Sequence, residues 1–250
     1  MTFLRDTYVV FARALRLSLR NPAWVVIGLT QPILYLLLFG PLLKPLAGQL
    51  GGDPWRVFVP GMLVQLGIFG GMFVGFGLIA EYRAGVIESM RVTPASRVSL
   101  LLGRVLRDVL VLLVQATLLT LVALPLGLRA PVAGVIVALL AVGLLGAAFS
   151  AVSYAVALTL KSEDALAPLL NAVAIPLLLL SGILLPMALA PLWLRRLSDV
   201  NPLKHVVDGL RTLFRGDLWS SAAILGLSMT VLLVVLGTWF GTRTFRRESA

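Results

Sequence analysis

Six long apolar stretches, separated by short charged breaks, fill most of the chain. They run Trp24–Leu43, Phe58–Ala80, Val109–Leu126, Val132–Leu160, Ala165–Met187 and Trp219–Phe240. A helix crossing a hydrocarbon core of about 30 Å needs roughly 20 apolar residues, and each stretch is of about that length or longer. A soluble helix is apolar along one stripe, whereas these stretches are apolar all round. The pattern predicts an all-α polytopic membrane protein with six transmembrane helices.

Three of the breaks carry a pattern of their own. Over residues 2–20, Leu4, Tyr8, Phe11, Leu15 and Leu19 share one helical face, while Arg13, Arg16 and Arg20 lie on another. This predicts an interfacial amphipathic helix lying in the membrane plane, stopped by Asn21-Pro22. Between the second and third stretches, Gly85 can turn the chain and Pro94 disfavours helix at Thr93. Val86, Ile87 and Met90 give the short helix expected there a small apolar face, beside the charges of Glu81, Arg83, Glu88 and Arg91. Within the 188–218 segment, Asn201 is a cap, Pro202 suits the first helical position and Gly216 suits the stop. Leu203, Val206, Val207, Leu210, Leu213 and Phe214 then form one apolar stripe, with Lys204, Asp208, Arg211 and Arg215 expected on the opposite, solvated face. His205 reads as a solvated surface residue, and Leu192–Arg196 as a shorter segment at the membrane boundary.

Small residues recur at four-residue spacing in two spans: Gly67, Gly71 and Gly75, then Gly143, Ala147, Ala151 and Ala155. Such stripes let another helix backbone approach closely, either inside the bundle or across a dimer seam. The fifth stretch contains Pro168, Pro176 and Pro186, which predicts a kinked span.

Charge adds an orientation. With six spans both termini share a side, and that side receives thirteen of the 21 Lys and Arg residues, the other side eight. Positive charge collects in the cytoplasm, so both termini are expected there, in a bacterial cytoplasmic membrane, with 188–218 outside. The net charge of +10 fits anionic lipid rather than nucleic acid. At 250 residues, with 59% hydrophobic and 13% charged, the chain has room for one transmembrane domain over 1–250 and no soluble catalytic domain. It divides into the 1–22 interfacial helix, the 81–97 loop, the 188–218 outer loop and the spans. It begins on an Arg-bearing segment without a short apolar core and small-residue cleavage site. No removable signal peptide is therefore expected, and the first span serves as insertion signal.

The chemistry within the spans is sparse. No stretch has an ionisable residue near its middle, which argues against proton coupling and voltage sensing. There is no Cys, no phosphate-binding loop and no cluster of metal ligands, so no catalytic residue, metal or cofactor is expected on this chain. Intramembrane polarity is limited to Gln31, Gln65, Gln115, Asn171, Ser181 and other hydroxyls. They read as interhelical hydrogen bonds or as the few polar groups of an otherwise apolar path for an amphipathic substrate. Uphill transport would need another subunit to supply energy.

At this point the 81–97 segment resembles the cytoplasmic loop of ABC-2-type permeases, commonly Glu-x-x-x-Gly-x-x-Glu-x-x-x-x-Thr-Pro-x-Ser-Arg. Glu81, Gly85, Glu88, Thr93, Pro94, Ser96 and Arg97 match it; Tyr82 and Ala84 stand where the family often has charges. Arg20-Asn21-Pro22 before a span with Gln31-Pro32, the Gly103-Arg104 pair, and Ser181-Gly182 followed by Asn201-Pro202-Leu203 and Gly209-Leu210-Arg211 resemble the same family. The likeness covers nearly the whole chain and is nearest to the daunorubicin-resistance-type drug exporters. It implies a half-permease that dimerises and binds two copies of a separate nucleotide-binding ATPase, on which ATP and magnesium sit. It also implies that 81–97 is the ATPase-coupling element and that the outer helices are re-entrant. The function so implied is export of amphipathic, drug-like molecules. The alternatives are export of a polysaccharide or lipid-linked glycan, and a membrane scaffold without transport.

The orientation is open to a direct test. In whole cells, Ser249→Cys should resist a membrane-impermeant thiol reagent, while Asp217→Cys should react; the reverse pattern would overturn the topology.

Overall fold

A computed structural model of the chain describes residues 3–20, 23–43, 45, 48, 53–86, 96–184 and 186–247. Among them the secondary structure is helical throughout, without strands. The helices are α1 (Phe3–Arg20), α2 (Ala23–Leu43), α3 (Pro54–Met72), α4 (Val74–Arg83), α5 (Arg97–Leu126), α6 (Val132–Leu160), α7 (Glu163–Leu180), α8 (Leu192–Asp199), α9 (Pro202–Arg215) and α10 (Ser221–Arg247), with a 3-10 turn at Met187–Leu189. Six spans result: α2, α3 with α4, α5, α6, α7 and α10. α1 and the last turn of α10 lie at the same end of the bundle, its basic end.

Helix α6 is the hub. The Gly67, Gly71 and Gly75 stripe packs within the chain against it. A Cβ at Gly67 would lie 3.3 Å from the Val142 carbonyl oxygen, one at Gly71 2.8 Å from that of Gly146, and one at Gly75 2.9 Å from that of Ser153. On the other side of α6, Cβ atoms at Gly237 and Gly241 of α10 would sit 2.6 Å and 2.9 Å from the Ala148 and Ala151 carbonyl oxygens. Gly143 faces Leu113 and Val109 of α5. Buried Ala147, Ala151 and Ala155 complete the small-residue surface of α6. Side chains this small bring whole backbones into van der Waals contact, the attraction available to helices surrounded by lipid.

The second span is not one helix. It runs from Pro54 to Arg83 and breaks at Phe73, a feature that Phe58–Ala80 as a single stretch did not anticipate. Phe73 keeps its bond to the Phe69 carbonyl, but Phe76 N–H turns to the Phe73 carbonyl, so Met72 C=O and Gly75 N–H lose their ordinary partners. Ser153 of α6 supplies both: its hydroxyl donates to the Met72 carbonyl and accepts from Gly75 N–H at 3.0 Å. Orphaned backbone groups in hydrocarbon cost several kcal/mol, so a broken span needs such a partner.

Three other boundaries differ from expectation, one of them that of α10, which runs to Arg247, about two turns beyond Phe240. The third span, α5, begins at Arg97 instead of Val109, extending about three helical turns beyond the apolar stretch at the basic end. The Ser96 side chain caps it by accepting from Ser99 N–H at 3.1 Å. The fifth span ends at Leu180 instead of Met187. Ser181 turns back to donate to the Leu178 carbonyl, and Gly182 adopts a φ of 72° that other residues avoid. Pro168 and Pro176 are therefore inside the helix, and Pro186 is outside it.

Helix α1 docks along the start of α5. Thr7 is buried, and at Gly103 a Cβ would come within 2.8 Å of the Thr7 carbonyl. Leu4, Tyr8 and Leu19 remain exposed, so part of the predicted stripe faces lipid.

The α3–α6 seam yields a stability prediction. Gly71→Ala should destabilise the chain by about 1–3 kcal/mol through overpacking against Gly146 and Phe149. Gly77 has nothing within 4 Å of a Cβ, and Gly77→Ala should stay within about 0.5 kcal/mol. Thermal unfolding in detergent compares them; equal stability would show that the seam has slack.

Candidate functional site

The basic end gathers charges that the sequence leaves scattered. Helix α4 carries Glu81 and α5 carries Arg104, and their side chains meet with Nη2 2.6 Å from Oε2. Arg104 is 7% exposed, so this ion pair is shielded from water on one side. One turn farther along α5, Asp108 is fully enclosed. It accepts a 2.7 Å bond from the Tyr154 hydroxyl of α6, and Arg107 Nε lies 3.2 Å from its other oxygen. Arg107 Nη2 also reaches the Tyr154 oxygen at 3.5 Å. Arg83 pairs with Glu163 at the start of α7 at 3.3 Å, with both side chains largely exposed. α4, α5, α6 and α7 are thus joined by polar side chains where the 81–97 loop leaves and re-enters the bundle.

This arrangement bears on the loop directly. Glu81 and Arg104 flank it and hold its two stems together. Gly85 takes a φ of 70°, turning the chain out of α4, and Val86 follows. Ile87, Glu88, Met90, Arg91, Thr93 and Pro94 lie outside the described residues. Arg104 thus links the α5 stem to α4, and Asp108 with Tyr154 links it to α6. The Tyr154–Asp108 contact was not legible in the sequence, because Asp108 reads there as the last polar residue before a span.

At the opposite end, α9 matches its predicted bounds. The Asn201 side chain accepts from Leu203 N–H at 3.0 Å, Pro202 follows, and Gly216 closes the helix at a φ of 103°. Leu203, Val206, Val207, Leu210, Leu213 and Phe214 are all buried. At Gly209 the helix lies against Gly226 of α10, where a Cβ would be 2.9 Å from the facing Cα. Arg211 does not lie on a solvated face. Its guanidinium is buried, donating from Nε to the Val57 carbonyl at 3.0 Å and from Nη2 to that of Gly182 at 2.7 Å, with Asp208 3.4 Å from Nη1. The carbonyls freed where α7 ends attract this fork of donors. Burial pulls the Arg211 pKa down to about 10, which leaves it charged at neutral pH. His205 is half-buried, with Nε2 3.0 Å from the Asp199 carbonyl.

The intramembrane amides do not converge. Gln115 is buried and donates to the Val25 carbonyl at 3.0 Å, fastening α5 to α2. Gln65 is buried in α3. Ser181 closes the end of α7 as described. Gln31 donates to Tyr35 and Asn171 to the Ala167 carbonyl, both on outward surfaces of α2 and α7. Among the described residues no group of three or more His, Asp or Glu side chains is placed to hold a metal ion.

Comparison with known proteins agrees with this architecture. A model of the ABC-2 type transporter family matches residues 5–214. The chain belongs to the ABC-2 type transporter family. It is similar to the putative transport permease ycf38 of Cyanophora paradoxa, at 27% identity over 222 residues, covering 87% of this chain and 77% of that one. It is also similar to the daunorubicin resistance ABC transporter permease protein DrrB1 of Streptomyces coeruleorubidus, at 25% identity over 226 residues, covering 89% and 80%. The ycf38 permease of Pyropia yezoensis is 26% identical over 212 residues, covering 80% and 71%. The chain is thus a multi-pass transport permease, and its six helices long and apolar enough to cross a membrane are consistent with that membership.

The pinned loop base predicts unequal costs for two charge removals. Arg104→Gln removes a buried guanidinium from a Glu81 whose side chain is 36% exposed, and should cost about 1–2 kcal/mol. Arg83→Gln breaks an exposed pair and should cost less than about 1 kcal/mol. Chemical unfolding of the two variants compares them; a larger cost for Arg83→Gln would place the stress elsewhere.

Proposed function

We propose that this permease is the membrane subunit of an exporter of amphipathic small molecules, driven by a separate nucleotide-binding ATPase that docks on residues 81–97. The observation that carries this reading is the loop base: Glu81 and Arg104 clamp its two stems at 2.6 Å, and Asp108 and Tyr154 tie the second stem to the central helix. A docking element must deliver motion to the spans, and a stem that bends freely would absorb it. Family membership supports an ATPase partner, since no nucleotide-binding element occurs in this sequence. The drug-resistance relative supports a drug-like substrate. The spans offer apolar surface with isolated amides, which suits a molecule that is partly apolar itself.

A homodimer belongs to this reading. α2 and α7 are among the least covered spans, and each sets an amide, Gln31 and Asn171, on its outward surface. Amides facing lipid are better satisfied across a helix–helix contact. On this reading both termini lie in the cytoplasm of a bacterial cell, and the clamped loop faces the compartment that holds ATP.

Function is tested in vesicles containing the permease and its ATPase at matched expression. Glu88→Arg and Met90→Asp should each lower drug efflux by at least about fivefold and uncouple ATP hydrolysis from the permease, while insertion and dimerisation persist. Unchanged efflux and unchanged stimulated hydrolysis in both variants would make the loop a mere connector.

A further inference from the structure

The α6–α10 crossing leaves a groove on the outer surface of the bundle. It has a volume of about 360 Å³ and is lined by Phe149 and Val152 of α6 and by Leu233, Leu236, Gly237 and Phe240 of α10. Its lining carries no polar side chain. The groove exists because Gly237 and Ala148 bring the two backbones together, so the larger side chains on either side stand as walls around a low floor. From Leu233 to Phe240 it extends about 10 Å along the helix, within the roughly 15 Å of one leaflet.

Its mouth is marked by charge. Leu233, Leu236, Phe240 and Arg243 follow one another at spacings of three and four residues, so the cation continues the stripe that lines the groove. The Arg243 guanidinium stacks 5.2 Å from the ring centroid of Trp239, and Trp239 is itself exposed. Exposed Trp beside Arg is the pairing found where hydrocarbon meets headgroups. Neither α6 nor α10 carries an acidic residue. An apolar slot in one leaflet, with an arginine about one turn beyond its last lining residue and no acid on either helix, is complementary to an acyl chain bearing an anionic headgroup.

We propose that this groove binds one acyl chain of an anionic phospholipid, whose phosphate is held by Arg243. The bilayer supplies this ligand at high local concentration, and one basic residue near the membrane surface favours an anionic headgroup severalfold. A second copy of the chain is a poorer occupant. A two-fold contact through the groove would gather Arg243 from both copies, without acidic residues on either helix to meet them. The site lies on the outer side of α6 and α10 and does not depend on the transported substrate.

Native mass spectrometry tests the assignment. The purified full-length chain, in neutral detergent, is mixed with equal amounts of phosphatidylglycerol and phosphatidylcholine of identical acyl chains, and retained lipid is counted per chain. Phosphatidylglycerol should be retained about fivefold over phosphatidylcholine. Arg243→Gln should bring the two within about twofold of each other, whereas Arg20→Gln, on α1, should leave the preference intact. Val152→Phe fills the groove and should reduce retention of both lipids. Leu236→Phe, at a lipid-exposed position, does the same if Val152→Phe does not fold. Equal retention by the unmodified chain, retention of neither lipid, a preference that survives Arg243→Gln, or retention undiminished by the groove-filling variants would each overturn the proposal.

Discussion

Helices immersed in lipid gain little by hiding apolar surface from one another, because the surrounding chains are as apolar as their own side chains. What holds this bundle is therefore close approach, and α6 provides it. Gly71 and Gly75 press on it from one side and Gly237 and Gly241 from the other, each so near that a methyl group would meet a carbonyl oxygen. α6 also meets α9 directly at Gly134, where a Cβ would fall on the Leu213 carbonyl oxygen, and α9 is fixed further by its glycine crossing with α10. α1 is held by its own close contact at Gly103 of α5.

The same closeness allows the backbone to be irregular. Ser153, on the face of α6 that meets Gly75, is near enough to repair the break at Phe73 by serving a carbonyl and an N–H together. Arg211 does the corresponding work at the far end, where the chain turns after α7 and the Gly182 carbonyl points to its guanidinium, while Asn201 and Ser198 serve the Leu177 and Leu180 carbonyls of α7 itself. In both places a side chain replaces hydrogen bonds that water would supply in a soluble protein. At both points a donor or acceptor from another helix is at hand.

The charged end of the bundle joins this framework to the loop between α4 and α5. Glu81 and Arg104 form a clamp, and Asp108 with Tyr154 extends it to α6, the helix on which the packing depends. The polar contacts lie at one end of the spans, so the hydrocarbon region itself remains nearly free of ionised groups, and Arg243 marks the same boundary on the outer side.

Much of this was legible in the sequence because it is decided within a turn or two of chain. Unbroken apolar stretches specify spans, and Asn201, Pro202 and Gly216 specify the limits of α9 by capping and by backbone preference. The family of the loop was legible from residues 81–97, although the part of the site from Ile87 to Ala95 lies outside the described residues. The rest needed the tertiary structure, since it depends on partners far away in the chain. Glycines at four-residue spacing announce a close contact but not which helix fills it. Arg211 follows the polar spacing of α9, yet its partner at Val57 is 154 residues distant, and burial there reverses its apparent exposure. The break at Phe73 relies on a serine 78 residues beyond Gly75. Local sequence sets which backbone groups a helix end or span can satisfy for itself, and only the packed bundle determines who satisfies the remainder.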